Sequence, residues 1–387
     1  MCKIFIPFLL FISCVSNENQ SDNTNCRNPQ IQNTTIFVKE IHIPVDSLQY
    51  SHLCNASYYN DSLNLYFGLD NSRNAIDIYD LDQQKYVRSI QIPVGKNLKL
   101  TDFYVHNTDS IFLFDKNQYK LLLVDWHGHV KFEKRLDDPF IRELHESGKI
   151  GSLESGGSAR IVYDAQSKHL FFPIRPIVTE EANDYLDYPF LLAYNVAEFK
   201  ATKVLGRYPP DFIPGNLTPL VSWIKIVRIK DENILLSFPS STYLVNLKWR
   251  ENEISELLCK KSNFIDVGKV KFKGDHQNYS DRIRYRTENG YFSEPVYSSS
   301  QKMYYLPVAH NQQLLDANGI INYRTGHPWS LIIMNERFEA RKEIVFPAKE
   351  YCYYHMVPCR EGVLILKENP ASLTNNEDTL DGVIVSN

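Results

Sequence analysis

The sequence predicts an all-β fold. The expected form is a six-bladed β-propeller of four-stranded blades, closed by pairing an N-terminal strand near residues 36–44 with a C-terminal strand near residues 383–387. Three observations carry this expectation. An apolar run ending in Asp or Asn recurs six times, at residues 75–80, 121–125, 191–195, 243–246, 331–335 and 383–387. Each of the first five is followed by a polar turn and a more charged strand, and the sixth by nothing. The missing strand has a counterpart at the other end of the chain, where Ile41-His42-Ile43-Pro44 repeats the I-x-I-P of Ile90-Gln91-Ile92-Pro93. Internal repetition of this length is the signature of stacked or radial architectures, and radial closure leaves only short, protected sheet edges. A pair of β-sandwiches would predict neither the sixfold count nor the likeness of the two termini.

The units follow in order. The first has strands at 63–68, 75–80 and 86–93, and the second at 103–105, 111–114, 121–125 and 130–136. The third uses 159–163, 170–173, 191–195 and 201–205, and the fourth 224–228, 234–238, 243–246 and 254–258. The fifth uses 293–297, 303–307, 331–335 and 342–347. The sixth has 353–356, 362–366 and 383–387, with its fourth strand absent. Apolar inner runs with mixed charge on the last strand of each unit are expected where outer strands face water. The composition agrees: of 387 residues 43% are apolar, with 24 Tyr and 21 Phe, types that favour strands.

Longer connections interrupt this rhythm. Residues 138–146, before Gly148, read as one or two helical turns. Residues 174–189 and 311–328 each separate the second and third strands of a unit and are expected on one rim of the ring. Residues 207–219 and 274–290 join successive units and are expected on the opposite end. Enlarged loops on a rigid scaffold are where recognition tends to be built.

The N-terminus reads as a targeting segment to be set aside from fold reasoning. Lys3 precedes a short apolar stretch, and Ser13-Cys14 resembles the lipobox of bacterial lipoproteins, with Cys14 as the lipidated residue. The expected division is a signal peptide at 1–13, a lipidated disordered tether at 14–35 and one propeller domain at 36–387. The tether is rich in Asn, Ser, Gln and Thr and has too little apolar surface to fold. Acyl chains would anchor the chain to a membrane. The location expected is the bacterial cell envelope, on an outer-membrane lipoprotein facing the periplasm or the surface.

Net charge is −4, from 42 basic and 46 acidic residues, without the basic excess a nucleic-acid partner calls for. Past Cys14 five cysteines remain, an odd number. Cys352 and Cys359 flank an expected hairpin and are either a disulfide or two buried thiols. No Walker loop, dinucleotide fingerprint, nucleophile elbow or H-E-x-x-H occurs, so no catalytic residue is assigned. Glu180, Glu181, Asp184, Tyr185 and Asp187 form an acidic loop, either solvated or open to Ca²⁺ or another divalent ion. With His310 and His327 they make up the candidate binding rim. Arg282, Arg284 and Arg286 alternate, which on a strand gives one face for a carboxylate or sulfate, or a salt-bridged face. His355 is a metal candidate if first strands line the channel, and otherwise a packed, hydrogen-bonded residue. No cofactor is expected otherwise.

The lipobox-like Cys14, the Asn/Ser-rich tether and the six degenerate hairpins together resemble an uncharacterised family of six-bladed propeller lipoproteins of the Bacteroides group. That resemblance implies an envelope location and a propeller, and carries over no catalytic residue. The function expected is an anchored binding or scaffold module for a protein or glycan partner. The alternative is a propeller lyase or hydrolase acting on a sugar or lactone, with a metal at the channel mouth.

Overall fold

The computed structural model describes residues 28–32, 37–45, 56–93, 98–156, 159–213, 217–221, 223–267, 272–322, 326–367 and 378–386. The segment expected as signal peptide and most of the expected tether, Cys14 included, lie outside them. Six sheets, each with a four-stranded antiparallel core, stand in a ring: a six-bladed β-propeller.

Blade 1 is built from Ser57–Asn60, Leu65–Asp70, Ala75–Asp80 and Lys85–Gln91, and blade 2 from Asp102–Asn107, Ser110–Asp115, Lys120–Val124 and Val130–Arg135. Blade 3 has Val162–Asp164, His169–Arg175, Leu191–Asn195 and Lys200–Leu205. Blade 4 has Lys225–Lys230, Asn233–Ser237, Tyr243–Lys248 and Glu253–Cys259. Blade 5 has Val296–Ser298, Met303–Ala309, Trp329–Asn335 and Ala340–Phe346. Blade 6 has Met356–Cys359, Gly362–Leu366 and Thr379–Val385, and its fourth strand is Phe37–Pro44 from the other end of the chain. The closing pair is antiparallel, with Glu40 opposite Val383 and Ile43 opposite Leu380. Its C-terminal member begins at Thr379, four residues before the expected run.

The recurring Asp or Asn at strand ends has a local cause. Asp80 accepts from Gln83 N, Asp125 from His127 N and His129 N, Asn195 from Ala197 N and Glu198 N, and Asn335 from Arg337 N and Glu339 N. A short side-chain oxygen reaching back to the next amides builds the turn. Gln84, Gly128, Phe199 and Phe338 then adopt positive φ, where the chain re-enters the sheet with a register shift.

Adjacent blades share apolar clusters, and there are six such junctions. Phe67 and Ile78 of blade 1 pack with Phe103 and Leu113 of blade 2. The sixth junction joins Ile41, Ile43 and Leu364 of blade 6 to Tyr66 and Tyr79 of blade 1. The borrowed strand therefore closes the ring through its core as well as its backbone. Burying a large apolar side chain contributes roughly 1.5–3 kcal/mol, so each junction is a substantial part of the total.

The structure corrects four expectations and decides a fifth, on the two cysteines, between its stated alternatives. In a four-stranded antiparallel blade, the second-to-third loop and the link to the next blade leave from the same end, because strand direction alternates. Residues 174–189, 207–219, 274–290 and 311–322 therefore share one end, here called the insertion end. His276 N donates to Glu181 at 3.2 Å, Gly290 N to Asn311 Oδ1 at 2.7 Å, and the Tyr185 and Tyr208 rings lie 5.8 Å apart.

Secondly, Arg282, Arg284 and Arg286 are not on a strand. They lie on a helix, Tyr279–Glu288, started by Asn278, whose side chain accepts from Ser280 N and Asp281 N. At about 100° per residue they fan around the helix and make no common anion face. Thirdly, Cys352 and Cys359 are separate buried thiols. Cys352 N bonds Leu366 O while Cys359 faces Gly362, so they sit at opposite ends of one strand. At about 3.3 Å per residue that is well beyond the roughly 7 Å a disulfide can bridge. Burial pushes the Cys359 thiol up to about 12. Cys259 is disulfide-bonded. Fourthly, His355 precedes the first strand of blade 6 instead of lying in it. Finally, Gln30–Gln32, inside the expected tether, form a strand parallel to Ala340–Phe346 on the outside of blade 5. The helix expected near 138–146 is Pro139–Glu146, capped by Asp138.

Candidate functional site

The ring has two ends, and each holds a cavity. At the insertion end the expected rim residues are mostly committed to the fold. Tyr185 opens a short 3-10 turn, Tyr185–Asp187, and is buried against Leu217 and Val221. Burial, then the nearby Glu180, pushes its hydroxyl up to about 12. Glu181 caps the 274–290 loop through His276 N, while Asp184 and Asp187 are exposed. His310 stacks on Phe264 at 4.4 Å and bonds Ser330 Oγ through Nε2 at 2.9 Å, and burial holds it down at about 4. His327 is fully buried, with Nδ1 2.6 Å from His310 O. Ser330 in turn donates to buried Glu343, which also accepts from Ser262 Oγ and Asn263 N. The two histidines thus belong to a fold-stabilising network.

Of the three arginines, Arg286 lies over the Trp223 ring at 4.2 Å and Arg282 over Tyr279 at 5.9 Å. Among the described residues no three His, Cys, Asp or Glu side chains gather as a metal site would require.

Between blades 4 and 5, under the 259–267 segment and the Tyr279–Glu288 helix, lies a cavity of about 750 Å³. Its wall includes Ser240, Lys260, Lys261, Tyr285, Phe292 and Asn311. Several polar groups around it, Thr242, Ser262 and Asn263 among them, are held by hydrogen bonds, and two others are not. The Ser240 hydroxyl is buried and has no partner among the described residues. Lys261 is exposed at the opening and forms no ion pair among them. Behind the wall Lys260 is 2% exposed, with Nζ donating to Phe238 O at 2.7 Å and lying 4.6 Å from the Phe292 ring centre. Burial holds its amine down at about 7, against a small opposing pull from Asp211. The sequence pattern did not single this cavity out. The available signal was length: from Lys260 to Gly290 the chain makes the longest link between blades.

At the other end the first strands line a central channel with a cavity of about 420 Å³. Tyr58, Tyr104, Tyr163 and Tyr297, from four different blades, stand around it, with His355 beside them. Tyr58 and Tyr104 rings are 5.0 Å apart, and Tyr104 and Tyr163 rings 6.3 Å. Burial, then the neighbouring Tyr104, holds the Tyr58 hydroxyl well above its usual range. The charges here are matched. Arg160 Nε donates to Asp102 at 2.7 Å, Lys225 Nζ reaches Glu294 at 3.3 Å, and Arg228 meets Glu336 at 3.3 Å while covering the Tyr297 ring at 3.9 Å.

No protein-family model and no curated protein matches the sequence. Solved structures do resemble the fold. A member of the DUF4221 family from Bacteroides vulgatus superposes with a TM-score of 0.72 at 17% identity, covering 91% of this chain and 98% of its own. A protein from Bacteroides fragilis designated as exported gives a TM-score of 0.56 at 12% identity, covering 93% and 99%. Both are similar in fold along nearly their whole length.

Proposed function

We propose that the chain is an exported, envelope-anchored binding module that takes a protein or glycan partner on its insertion end. The observation that carries this reading is the unpartnered Ser240 hydroxyl, buried in the wall of the cavity between blades 4 and 5. A buried hydroxyl without a partner costs about 1–3 kcal/mol, and a ligand that supplies the partner recovers it. The unpaired Lys261 at the opening and the free side of the Asn311 amide offer further polar contacts. The crowding of four insertions onto one end supports the same reading, since binding residues concentrate on loops held by a rigid scaffold.

The anchor is part of the proposal. Cys14 after Ser13 would carry acyl chains, and the Asn/Ser-rich stretch beyond it would set the propeller off the membrane. The likeness to an exported Bacteroides protein supports an envelope location.

The experiment is capture from the native envelope. Cross-linked full-length wild type is compared with a Ser240→Ala/Lys261→Glu double variant of at least equal thermal stability. The proposal expects a discrete partner on the wild type that the variant loses. Equal capture by both, or capture lost equally when only exposed Glu253 on the outer strand of blade 4 is changed, contradicts it.

A further inference from the structure

We infer that the channel mouth, at the end opposite the insertions, is a second and separate site, for a neutral saccharide. The juxtaposition behind it is a rim of four tyrosines over the Lys225–Glu294 pair. The volume, about 420 Å³, lies within the roughly 300–1,000 Å³ usual for small-ligand pockets.

Tyr58, Tyr104, Tyr163 and Tyr297 are each half-buried, so part of each ring remains reachable from the channel. Such rings give large apolar contact with little rotamer freedom to lose, and carry a hydroxyl for bonding. They suit the C–H faces of a sugar ring. At the base, Lys225 spends one N–H on Glu294, leaving its other protons and one Glu294 oxygen for hydroxyl groups. A donor beside an acceptor matches vicinal hydroxyls, which are both at once.

The charge pairing decides the class. Arg160, Lys225 and Arg228 each already face a carboxylate: Asp102, Glu294 and Glu336. Asp164 is occupied by its own turn, accepting from Ser167 N and Oγ, and Asp61 accepts from Ser299 Oγ. A strongly anionic ligand would have to compete for cations whose partners are fixed by the fold. A cationic one would meet those same cations. A neutral polyhydroxyl ligand needs no such exchange.

The test is calorimetric titration of the full chain with neutral disaccharides of gluco, galacto, manno and xylo type, and with a uronic-acid disaccharide of like size, each at millimolar concentration. At least one neutral disaccharide is expected to bind one to one, at least about tenfold more tightly than the uronic acid. Tyr104→Ala is expected to weaken it about tenfold, and Glu294→Gln about fivefold. Tyr104→Phe, which keeps the ring, should retain most of the affinity, and that separates stacking from a folding defect. Three results each overturn the inference. No neutral disaccharide binds; or the bound one is unmoved by both Tyr104→Ala and Glu294→Gln; or the uronic acid binds more tightly. None of these bears on the insertion end, whose test uses other residues.

Discussion

Two lysines, one facing the channel and one in the wall of the insertion-end cavity, show how differently the two sites are built. Lys225 in the channel has Glu294 at 3.3 Å. Lys260, behind the insertion-end cavity, has a backbone carbonyl and an aromatic face. Burial lowers both, and only Lys225 has a paired carboxylate opposing that. The same contrast runs through their surroundings. The channel end balances each cation with an acid, whereas the insertion end leaves Lys261 unpaired and the Ser240 hydroxyl unpartnered. The first arrangement suits an uncharged ligand. The second leaves polar groups for a partner to satisfy.

Both ends depend on the ring, so breaking it should have the largest effect. Deleting residues 36–44 removes the fourth strand of blade 6 and, with Ile41 and Ile43, part of the junction to blade 1. Two such side chains alone contribute about 3–6 kcal/mol. Chemical denaturation should show that loss or more, and an unchanged midpoint would refute the closure. Next comes Arg160→Met, which leaves Asp102, fully buried, without its counter-charge. Breaking a buried pair from one side costs about 3–5 kcal/mol. Removing the unpaired cation of the other end, by Lys261→Met, should shift stability by no more than about 0.5 kcal/mol. Similar costs for the two would erase the distinction between the ends.

The pH dependence of stability sharpens the contrast further. Lys260 is held at about 7 in the fold and returns to its ordinary range when unfolded. Above pH 7 the unfolded chain therefore binds a proton there that the folded chain does not, and stability should rise with pH until about 10. The slope approaches about 1.4 kcal/mol per pH unit at most. Denaturation midpoints of wild type and Lys260→Met across pH 6–10 read it, with the rise expected only in wild type. Ser240→Ala acts in the opposite direction. It deletes an unsatisfied buried group, so stability should rise, by up to about 1–3 kcal/mol, while partner capture falls. A large loss of stability would mean that the hydroxyl is serving the fold.

How much of this was legible in the sequence follows from what each feature depends on. The turn-forming Asp80, Asp125, Asn195 and Asn335 act on amides two to four residues away, so their role is written locally. Repetition of that local signal was enough to count blades and pair the termini. The candidate sites depend on contacts distant along the chain. Ser240 and Lys261 meet only through the fold, and so do Tyr58 and Tyr297. The arginine run misled because alternation is a strand signal only where no helix cap precedes it, and Asn278 supplies one. The common end of the four insertions depends on strand order alone, because alternating strands send the second-to-third loop and the link to the next blade the same way.

Hydrogen–deuterium exchange of the full chain, alone and with its native envelope fraction, reads both ends in one measurement. Partner binding at the unpaired end predicts new protection confined to residues 259–267, 274–290 and 311–322. Protection of the channel strands Ser57–Asn60, Asp102–Asn107 and Val162–Asp164 instead, or no protection at the insertion end, would contradict it.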